Sequence, residues 1–465
     1  MLYDFIIIGT GPSGSVLASN LATKGFKIAM IDRATNIKKT SDRTSFIYSP
    51  YINKSPFDYT PLFSNQLGGN SALWNNKIYL LSKDEFDSEK WGFNYEELKK
   101  NSKDLSHKLK LNHNKICNTF IKKRLKYSES YRASELGNLF NHLNIRAFKN
   151  IDIFTHSSPV ELVLDNKKTV KKVIIKSLLK KRNIELKIKN SIIFCAGGLG
   201  NPNLLQNLLK DYNKNIGKNL CDHPHINVGK FDIDKIKNSL DFSKYFFKKK
   251  IKTENNLYFN INRNFVGIQL DLLGDPVRLI KKIYCKINQL IPKFLLIIFI
   301  KYYSLFTKIL NKILFILSLK SKYSYEFFFS QIKSKNNNVI INKSYKDNFL
   351  NFKSDINWKL SNENINIYNK SINYLIGEKG LFIKTKKRYL FQDNDMFVGL
   401  HPSCTTEISN NKNNGCVDKN LKIFDYKNIY VCGSSVFKLN GFTNPTWTIM
   451  SLANRLSNYL VKKQK

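Results

Sequence analysis

A glycine-rich turn close to the start of the chain constrains the fold more than any other feature of the sequence. The turn, Gly9 to Gly14, follows the short apolar run Phe5 to Ile8 and precedes a segment whose apolar residues recur at helical spacing. Gly25 ends that segment, and a second β-type run covers Lys27 to Ile31. A strand, a tight turn, a helix and another strand in this order predict a βαβ unit within a parallel sheet. The expected fold class is therefore α/β.

The spacing of the three glycines has a chemical explanation. In a turn between a strand and a helix, the first glycine allows the sharp bend, the second lets the backbone approach a pyrophosphate, and the third permits close packing of the helix on the strand. The helix N-terminus favours the phosphate charge, and Asp32 stands where a carboxylate can accept from a ribose hydroxyl. We therefore predict a dinucleotide site, which the turn alone does not assign to NAD or FAD. Its residues are Gly9, Gly11, Pro12, Ser13, Gly14, Asp32 and Arg33.

Length and composition exclude several classes of protein. The 465 residues suffice for two or three domains, and a hydrophobic fraction of 42% can supply a large core, which excludes wholesale disorder. Lys and Arg outnumber Asp and Glu by 76 to 35, but the excess is nearly all lysine and no recognition motif accompanies it, so we do not predict nucleic-acid binding. Seven cysteines without a CxxC pair argue against a disulfide framework or a structural zinc site.

Signals for β-structure occur at both ends of the chain. Runs between Ile151 and Phe194 indicate strands joined by hairpin turns, and a strand at Ile429 to Cys432 is followed by a helix from Pro445. Residues 94–148 are mostly polar with helical spacing. We predict a first domain that is assembled from separated segments, with a second domain of α+β structure inserted between them. The predicted boundaries give residues 1–230 and 393–465 to the first domain and residues 231–392 to the second.

Several further segments resemble the glucose–methanol–choline (GMC) oxidoreductases. Leu67 to Trp74 is similar to the glycine-rich flavin loop of that family, and Phe194 to Gly198 is similar to its strand and turn beside the adenosine half of FAD. These blocks follow the family order along the chain, whereas the middle third matches poorly. The remaining blocks are Asp84 to Leu98, Ile216 to Pro224, His401, Asn428 to Phe437, and Asn444 to Ile449.

The resemblance implies a Rossmann-like FAD-binding domain built from discontinuous segments, with an inserted substrate-binding domain. It implies oxidation of the CH–OH group of an alcohol, for example a sugar or a lipid-linked alcohol, to a carbonyl by hydride transfer to flavin N5. Dehydrogenase activity is favoured over oxidase activity, and the electron acceptor is left open. The flavin loop contains no histidine, so FAD is expected to bind noncovalently. The further FAD-binding residues implied are Gly68, Gly69, Asn70, Ser71, Trp74, Asn75, Val160, Ala196, Gly197, Gly433, Ser434, Asn444, Pro445 and Thr446.

Two residues match the catalytic positions of that family. His401 matches its base, and a histidine suits the removal of a hydroxyl proton because its pKa lies near neutrality. Asn444 matches the second polar group, which would hold the substrate oxygen. The helix that follows would direct its N-terminus toward the flavin edge where negative charge collects on reduction.

Three departures from the family pattern leave a second interpretation open. The family pattern that begins at the base resembles His-x-x-Gly-Thr-x-Arg-Met. In this chain Cys404 stands in place of the glycine, and Glu407 stands in place of a basic residue. Lys438 occupies a position usually held by proline. The alternative is a flavin-binding relative of this fold with little or no catalytic activity.

No metal site is predicted. His223 and His225 flank Pro224, but the neighbouring sequence offers no third and fourth ligand at suitable spacing. We interpret this segment as a turn that packs against the cofactor domain. The cysteines at 195, 404, 416 and 432 are interpreted as small core residues.

A basic segment in the middle of the chain contains no acidic residue from Pro276 to Tyr325. One interpretation is that residues 279–320 form amphipathic helices on an anionic membrane surface, and the other is that they are ordinary helices covering the substrate domain. No secretory signal is visible, so a cytoplasmic location is expected, at the inner face of the membrane if the first interpretation holds. The lysines that share one helical stripe there are Lys286, Lys293, Lys301, Lys308 and Lys312.

Overall fold

The computed structural model describes the chain in several segments. Asn75 and the basic segment 279–320 lie outside the described residues, so the predictions made for them are unchanged. The described residues are 1–34, 46–47, 64, 66–74, 76–116, 119–122, 125–129, 131–232, 256–261, 264–272, 322–377, 383–384, 390, 396–398, 401–442 and 444–464.

A seven-stranded sheet forms the centre of the first layer of the fold. Its central strand Leu2–Ile8 pairs in parallel with Ile28–Ile31 on one side and with Arg182–Phe194 on the other. The side chains of Phe5–Ile8, Ile28–Ile31 and Ile192–Phe194 are buried, as expected where a parallel sheet is covered on both faces. The other strands of the sheet are Ile151–Phe154, Ser157–Leu164, Val170–Ser177 and Ile429–Val431.

This sheet confirms the βαβ unit and the hairpins predicted from the sequence. The helix Pro12–Ala22 begins at the glycine turn and leads to the second strand. Between residues 151 and 194 the chain forms two antiparallel hairpins in succession. The late strand Ile429–Val431 pairs in parallel with Arg182–Phe194, with Tyr430 opposite Ile193. Segments from the two ends of the chain therefore join one sheet.

Helices cover the sheet and tie the C-terminus to the N-terminal segments. The last helix, Thr446–Lys463, packs on Pro12–Ala22 and on Tyr95–Lys108. Asn454 lies between them, accepting from Asn20 at 2.9 Å and donating to the backbone of Asn101 at 3.0 Å. The remaining helices are Lys83–Asp87, His113–Ile116, Leu139–His142, Gly197–Leu208 and Asn362–Leu375, with 3-10 turns at Gly69–Ala72, Ile145–Ala147 and Ser434–Val436.

A second, antiparallel sheet of seven strands stands beside the first layer. It contains strands from the predicted inserted domain and also strands from segments on either side of it. In spatial order the strands are Met396–Val398, Pro224–Asp232, Lys322–Phe329, Asn264–Leu272, Asn256–Ile261, Leu125–Glu129 and Thr119–Lys122.

The prediction that residues 94–148 are mostly helical is only partly correct. The helix Tyr95–Lys108 is present, and Asn94 caps it by accepting from the backbone N–H of Glu97 at 2.9 Å. Strands at 119–122 and 125–129 follow instead of further helix. They extend the second sheet, because 125–129 pairs with Asn256–Ile261 and 119–122 pairs with 125–129. Tertiary pairing with a distant strand thus overrides the local pattern.

Smaller sheets complete the described structure. Asn338–Lys346 and Phe352–Asn357 form an antiparallel pair that Phe46–Ile47 joins in parallel. Two further pairs are Lys77–Ile78 with Tyr131–Arg132 and Ile376–Gly377 with Ile383–Lys384. Among the residues that the structure describes, no helix combines the length and the apolarity that crossing a membrane requires.

Candidate active site

The glycine turn is shaped by close backbone contacts at two of its three glycines. Gly9 has a φ of 105°, and a Cβ there would lie 2.6 Å from the carbonyl oxygen of Cys195. A Cβ on Gly14 would collide with the carbonyl oxygen of Gly9. By contrast, none of the described atoms lies within 4 Å of a Cβ placed on Gly11. Two glycines therefore serve bending and packing, and the third leaves its backbone open to a ligand.

Asp32 is connected to this turn by its side chain. Its Oδ2 accepts from the backbone N–H and from the hydroxyl of Thr10, both at 2.6 Å, and its Oδ1 accepts from the N–H of Ala34 at 2.8 Å. Burial raises the pKa of Asp32, and the hydrogen bonds from Thr10 and Ala34 oppose that shift. The carboxylate is thus held at the end of the second strand, where the sequence predicts the ribose contact.

The predicted flavin loop lies directly on the first glycine turn. The N–H of Gly68 donates to the hydroxyl of Thr10 at 3.0 Å, and Gly68 and Gly69 both have positive φ, 94° and 52°. Ser71 donates to the carbonyl oxygen of Gly68 at 2.6 Å, and the indole of Trp74 donates to Gly137 at 2.7 Å. Asn70 accepts from the N–H of Ser64 at 2.9 Å. These bonds bring two of the predicted glycine segments together.

The turns at Ala196–Gly197 and Gly433–Ser434 are in contact with each other. Asn201 accepts from the N–H of Ala196 at 2.7 Å and donates to Ser435 at 2.9 Å. A Cβ on Gly433 would lie 3.8 Å from the Cα of Gly197. Ser13, in the first turn, donates to the carbonyl oxygen of Cys432 at 3.2 Å. All four predicted glycine segments are therefore linked by direct contacts.

Two predicted cofactor residues have other surroundings. The guanidinium of Arg33 binds the carboxylate of Asp347 at 2.9 Å, donates to the hydroxyl of Ser158, and stacks on Phe349. Its charge is therefore paired with the turn that joins Asn338–Lys346 to Phe352–Asn357. Val160 is half-buried in the strand Ser157–Leu164, at a point where the pairing register shifts.

His401 is held by a carboxylate and by a second histidine. Its backbone N–H donates to Oδ1 of Asp222 at 3.1 Å. The backbone N–H of His223 donates to the same oxygen at 2.7 Å. Nδ1 of His401 lies 2.5 Å from Nε2 of His223, with the two rings 4.5 Å apart at 62°. Burial lowers the pKa of His401 to about 3, and the neighbouring His225 adds to the shift. The imidazole is therefore neutral at physiological pH.

The loop after His401 is bonded to the turn at 433–435. The hydroxyl of Ser434 donates to the carbonyl oxygen of Pro402 at 2.7 Å, and the N–H of Cys404 donates to the carbonyl oxygen of Ser434 at 3.1 Å. Cys404 has a φ of 69°, which explains why glycine suits this position in related chains. The histidine is thereby placed next to one of the predicted flavin-binding turns.

Glu407 is buried and neutralised by two lysines. Its Oε1 binds the ammonium groups of Lys438 at 2.5 Å and Lys333 at 3.0 Å, and its Oε2 accepts from Asn219 at 3.1 Å. Two of the three departures from the family pattern, Glu407 and Lys438, are thus partners of each other. Their pairing balances charge in the loop that follows the base.

Asn444 and Pro445 immediately precede the last helix. Asn444 is half-buried, Pro445 is the N-cap residue, and Thr446 is the first helical residue, one position later than predicted for the helix start. The first intrahelical bond joins the N–H of Ile449 to the carbonyl oxygen of Pro445 at 2.9 Å, so the N–H groups of the first turn point out of the helix end. Thr448 accepts from the N–H of Leu81 at 3.1 Å, which fixes this end of the helix.

The contact of His223 with His401 is a functional feature that the sequence analysis missed. The sequence distance is 178 residues, and nothing local to the Asp222–His225 segment indicates the partner. Asp222, His223 and His401 also form a group that could hold a metal ion, with possible ligand atoms within 4.8 Å of one another. His225, which the sequence analysis considered together with His223, does not belong to this group.

A cavity of about 390 Å³ lies beside this group, between the second sheet and the helix Asn362–Leu375. Gln331 belongs both to its wall and to the histidine site, since its Oε1 accepts from the backbone N–H of Asp222 at 2.9 Å. Other wall residues are Ser88, Phe329, Lys333, Ile367, Tyr368 and Leu439.

Comparisons with known proteins agree with this geometry. Residues 378–453 of this chain match a family model for the C-terminal part of proteins described as GMC oxidoreductase. No curated protein sequence matches the chain significantly.

Solved structures share the fold over nearly the whole chain. An FAD-dependent oxidoreductase from Chaetomium thermophilum in complex with a fragment superposes with a TM-score of 0.61 at 14% identity, over 99% of each chain. A formate oxidase from Aspergillus oryzae RIB40, in a study of how an arginine mutation affects FAD modification, superposes with a TM-score of 0.59 at 14% identity, over 99% of this chain and 98% of that one. Similarity at this identity shows the fold, and the predicted α/β fold class is confirmed.

Proposed function

We propose that this chain, whose residues 378–453 match the GMC oxidoreductase family model and which shares the fold of FAD-dependent oxidoreductases, is a GMC-type enzyme. It would bind FAD and oxidise the CH–OH group of an alcohol to a carbonyl. The observation that carries the proposal is a neutral histidine, His401, on a loop that is hydrogen-bonded to the turn at Gly433–Ser434. Bound FAD would supply the hydride acceptor, its N5 atom, which protein side chains cannot provide.

The residues present fit the dinucleotide. Gly11 leaves space over its backbone, and the helix Pro12–Ala22 directs its N-terminus toward that space. The carboxylate of Asp32 is held against the turn by Thr10, at the end of the second strand, where it would accept from a ribose hydroxyl. The loop Gly68–Ala72 and the turn at 433–435 complete the cradle around the flavin half.

His401 would take the hydroxyl proton of the substrate. Its depressed pKa keeps the imidazole neutral, the form that can accept a proton, and also makes it a weaker base than the histidine of near-neutral pKa that the sequence predicts. Asn444 would orient the substrate oxygen, and the N-terminus of the helix Thr446–Lys463 would stabilise negative charge on the reduced cofactor.

The alternative, a flavin-binding relative with little activity, rests on the residues after His401. The pairing of Glu407 with Lys438 argues for the active enzyme, because the two departures compensate each other in charge and leave the loop intact. An unbalanced buried carboxylate would instead have disturbed the loop that carries the base.

The absorption spectrum of the purified protein, followed by anaerobic additions of alcohols, separates these possibilities. Sugars and long-chain alcohols are the first substrates to test. Bleaching of the flavin band by an alcohol is the expected result. A flavin band that no alcohol bleaches would favour the inactive relative, and the absence of flavin would overturn both. Reoxidation by O₂ against artificial acceptors tests the preference for dehydrogenase activity.

FAD is expected to be released by acid precipitation. The physical reason is that the loop at 68–75 has no histidine, so no covalent bond to the flavin forms there. After precipitation, the yellow chromophore should be found in the supernatant, and absorbance of the supernatant is the measurement. Flavin that stays in the pellet would contradict noncovalent binding.

The partner of the enzyme would be a small-molecule alcohol, with no role for nucleic acid, and its location would be cytoplasmic. Peripheral contact with an anionic membrane through residues 279–320 is part of the proposal, since no acidic residue opposes the lysines of that segment.

A further inference from the structure

The shortest polar contact of His401 is with another imidazole. Nδ1 of His401 and Nε2 of His223 are 2.5 Å apart, so one proton lies between them and only one of the two nitrogens carries it. His223 is only 2% exposed. The direction of this hydrogen bond therefore decides which nitrogen of His401 carries a proton and which is free.

Asp222 fixes the two histidines relative to each other. Its Oδ1 accepts from the backbone N–H groups of His223 and His401, at 2.7 and 3.1 Å. Its Oδ2 also accepts from the backbone N–H of His401, at 3.2 Å. Its own N–H donates to Gln331. Two backbone segments far apart in sequence are thus held by one carboxylate, and the rings have little freedom to separate.

We propose that His223 is a positioning residue for His401, an inference that rests on the proposed function. Nδ1–H of His401 donates to the lone pair of Nε2 of His223, which leaves Nε2 of His401 unprotonated. Nε2 of His401 is then the atom that accepts the proton of the substrate hydroxyl. No bond breaks at His223 in this step: the proton moves from the substrate oxygen to His401, and the hydride leaves toward FAD.

The surroundings of His223 keep it a neutral acceptor. With Nε2 as the acceptor, the single proton of neutral His223 is on Nδ1, which is buried and has no hydrogen-bond partner among the described residues. A second proton would have to enter at Nε2, where it would face Nδ1–H of His401. The ring of His223 lies 4.5 Å from that of His401 and 5.4 Å from that of His225. Its other neighbours are the carboxylate of Asp222 and the apolar ring of Phe328. The transferred proton therefore stays on His401.

A metal ion held by Asp222, His223 and His401 is the competing interpretation. Metal–nitrogen bonds of about 2.0–2.1 Å in a tetrahedral site would place two nitrogen ligands about 3.3 Å apart. The two imidazole nitrogens are closer than that, at 2.5 Å, which favours a shared proton.

The first test is the tautomer of His401, measured by ¹⁵N NMR on protein labelled at its seven histidines, with and without FAD. His401→Gln and His223→Gln identify the two signals. The expected result is protonation of Nδ1 of His401 in the wild type and a shift toward protonation of Nε2 in His223→Phe, which keeps the ring volume and removes the acceptor. Protonation of Nε2 in the wild type, or one equivalent of a metal by elemental analysis, would overturn the proposal. This measurement needs no substrate, so it is independent of whether the proposed reaction occurs.

The second test is kinetic and uses a substrate confirmed by flavin bleaching. His223→Phe should lower kcat by about 10- to 100-fold with KM and FAD content nearly unchanged, a smaller loss than that of the base itself. His223→Gln should recover most of the rate, because its amide oxygen can accept from Nδ1–H. The matched control is His113→Phe, which removes an imidazole that contacts Ser102 away from this site. An unchanged kcat in His223→Phe, or equal losses in Phe and Gln variants, would contradict the positioning role.

Discussion

Glu407 and Lys438 each replace a residue type expected from the GMC pattern, and in the folded chain they bind each other. The sequence shows the two departures separately, because the residues are far apart along the chain and no local pattern connects them. Because the two side chains are paired, substituting one of them would leave the other as a buried charge. The loss of stability is about 3–5 kcal/mol where no other partner remains. Lys333 would limit that cost for Glu407.

His401→Ala should abolish most turnover while FAD stays bound. Loss of a positioned base costs about 10²- to 10⁴-fold in rate, and none of the bonds that link the glycine segments involves this imidazole. Asn444→Ala should cost less, because it removes orientation and leaves the base in place. Steady-state kinetics and flavin content measure both effects. Turnover of a confirmed substrate by His401→Ala at a rate near the wild type would refute its role.

Glu85 is a buried carboxyl group whose surroundings do not fully satisfy it. Its Oε2 accepts from the N–H and the hydroxyl of Ser82, whereas its Oε1 is buried without a partner among the described residues. Burial raises the pKa of Glu85 to about 7, against the opposing hydrogen bonds from Ser82. The folded protein therefore holds a proton there that the unfolded chain releases at lower pH.

The free energy of unfolding should fall as pH rises from about 4.5 through 7, because over that interval the folded state binds the additional proton at Glu85. The shift corresponds to about 3 kcal/mol at high pH. Glu85→Gln keeps the shape without the charge, so it should remove this dependence and raise stability at pH 8. Denaturant unfolding at several pH values measures it, with the exposed Glu96→Gln as control. Equal pH dependence in wild type and Glu85→Gln would show that Glu85 ionises normally.

Elements with strong local signals agree with their sequence patterns. The first βαβ unit, the hairpins of residues 151–194 and the terminal strand and helix have clear periodicity and glycine or proline boundaries. The strands at 119–129 have mostly polar residues, and their pairing with Asn256–Ile261 joins segments far apart in sequence. Such strands exist because of a partner, and a reading of local pattern cannot find them.

Gly14→Ala and Gly11→Ala should separate folding from cofactor binding at one turn. A Cβ on Gly14 would strike the carbonyl oxygen of Gly9, which is backbone and cannot move aside, so this variant should lose stability. A Cβ on Gly11 meets no described atom, so the apoprotein should be as stable as the wild type while FAD binds more weakly. Thermal unfolding of the apoproteins and FAD titration measure the two effects. If both apoproteins are less stable than the wild type, Gly11 is needed for folding and its role in FAD binding is not supported.

At the scale of the whole molecule, the site is assembled from segments that span the chain. Each glycine turn and His401 could be predicted from its motif, whereas the contact of His401 with His223 and that of Gly68 with Thr10 could not. Each of these contacts joins segments that are far apart in sequence, so it depends on the folded arrangement of the chain. The sequence therefore supplies the chemical groups, and the long-range pairing of strands decides their distances.

The basic segment, residues 279–320, is predicted to bind the protein to anionic membranes. Each lysine near an anionic surface adds about 1 kcal/mol of attraction, and salt weakens it over a Debye length of about 8 Å at physiological ionic strength. Changing Lys286, Lys293, Lys301, Lys308 and Lys312 to Gln should therefore abolish sedimentation with phosphatidylserine vesicles at low salt. The matched control changes five exposed lysines elsewhere, Lys24, Lys99, Lys100, Lys167 and Lys180, to Gln, which alters the net charge equally. If both variants sediment like the wild type, or if the wild type does not sediment, the segment serves as cover for the substrate domain, and its lysines are simply its solvated face.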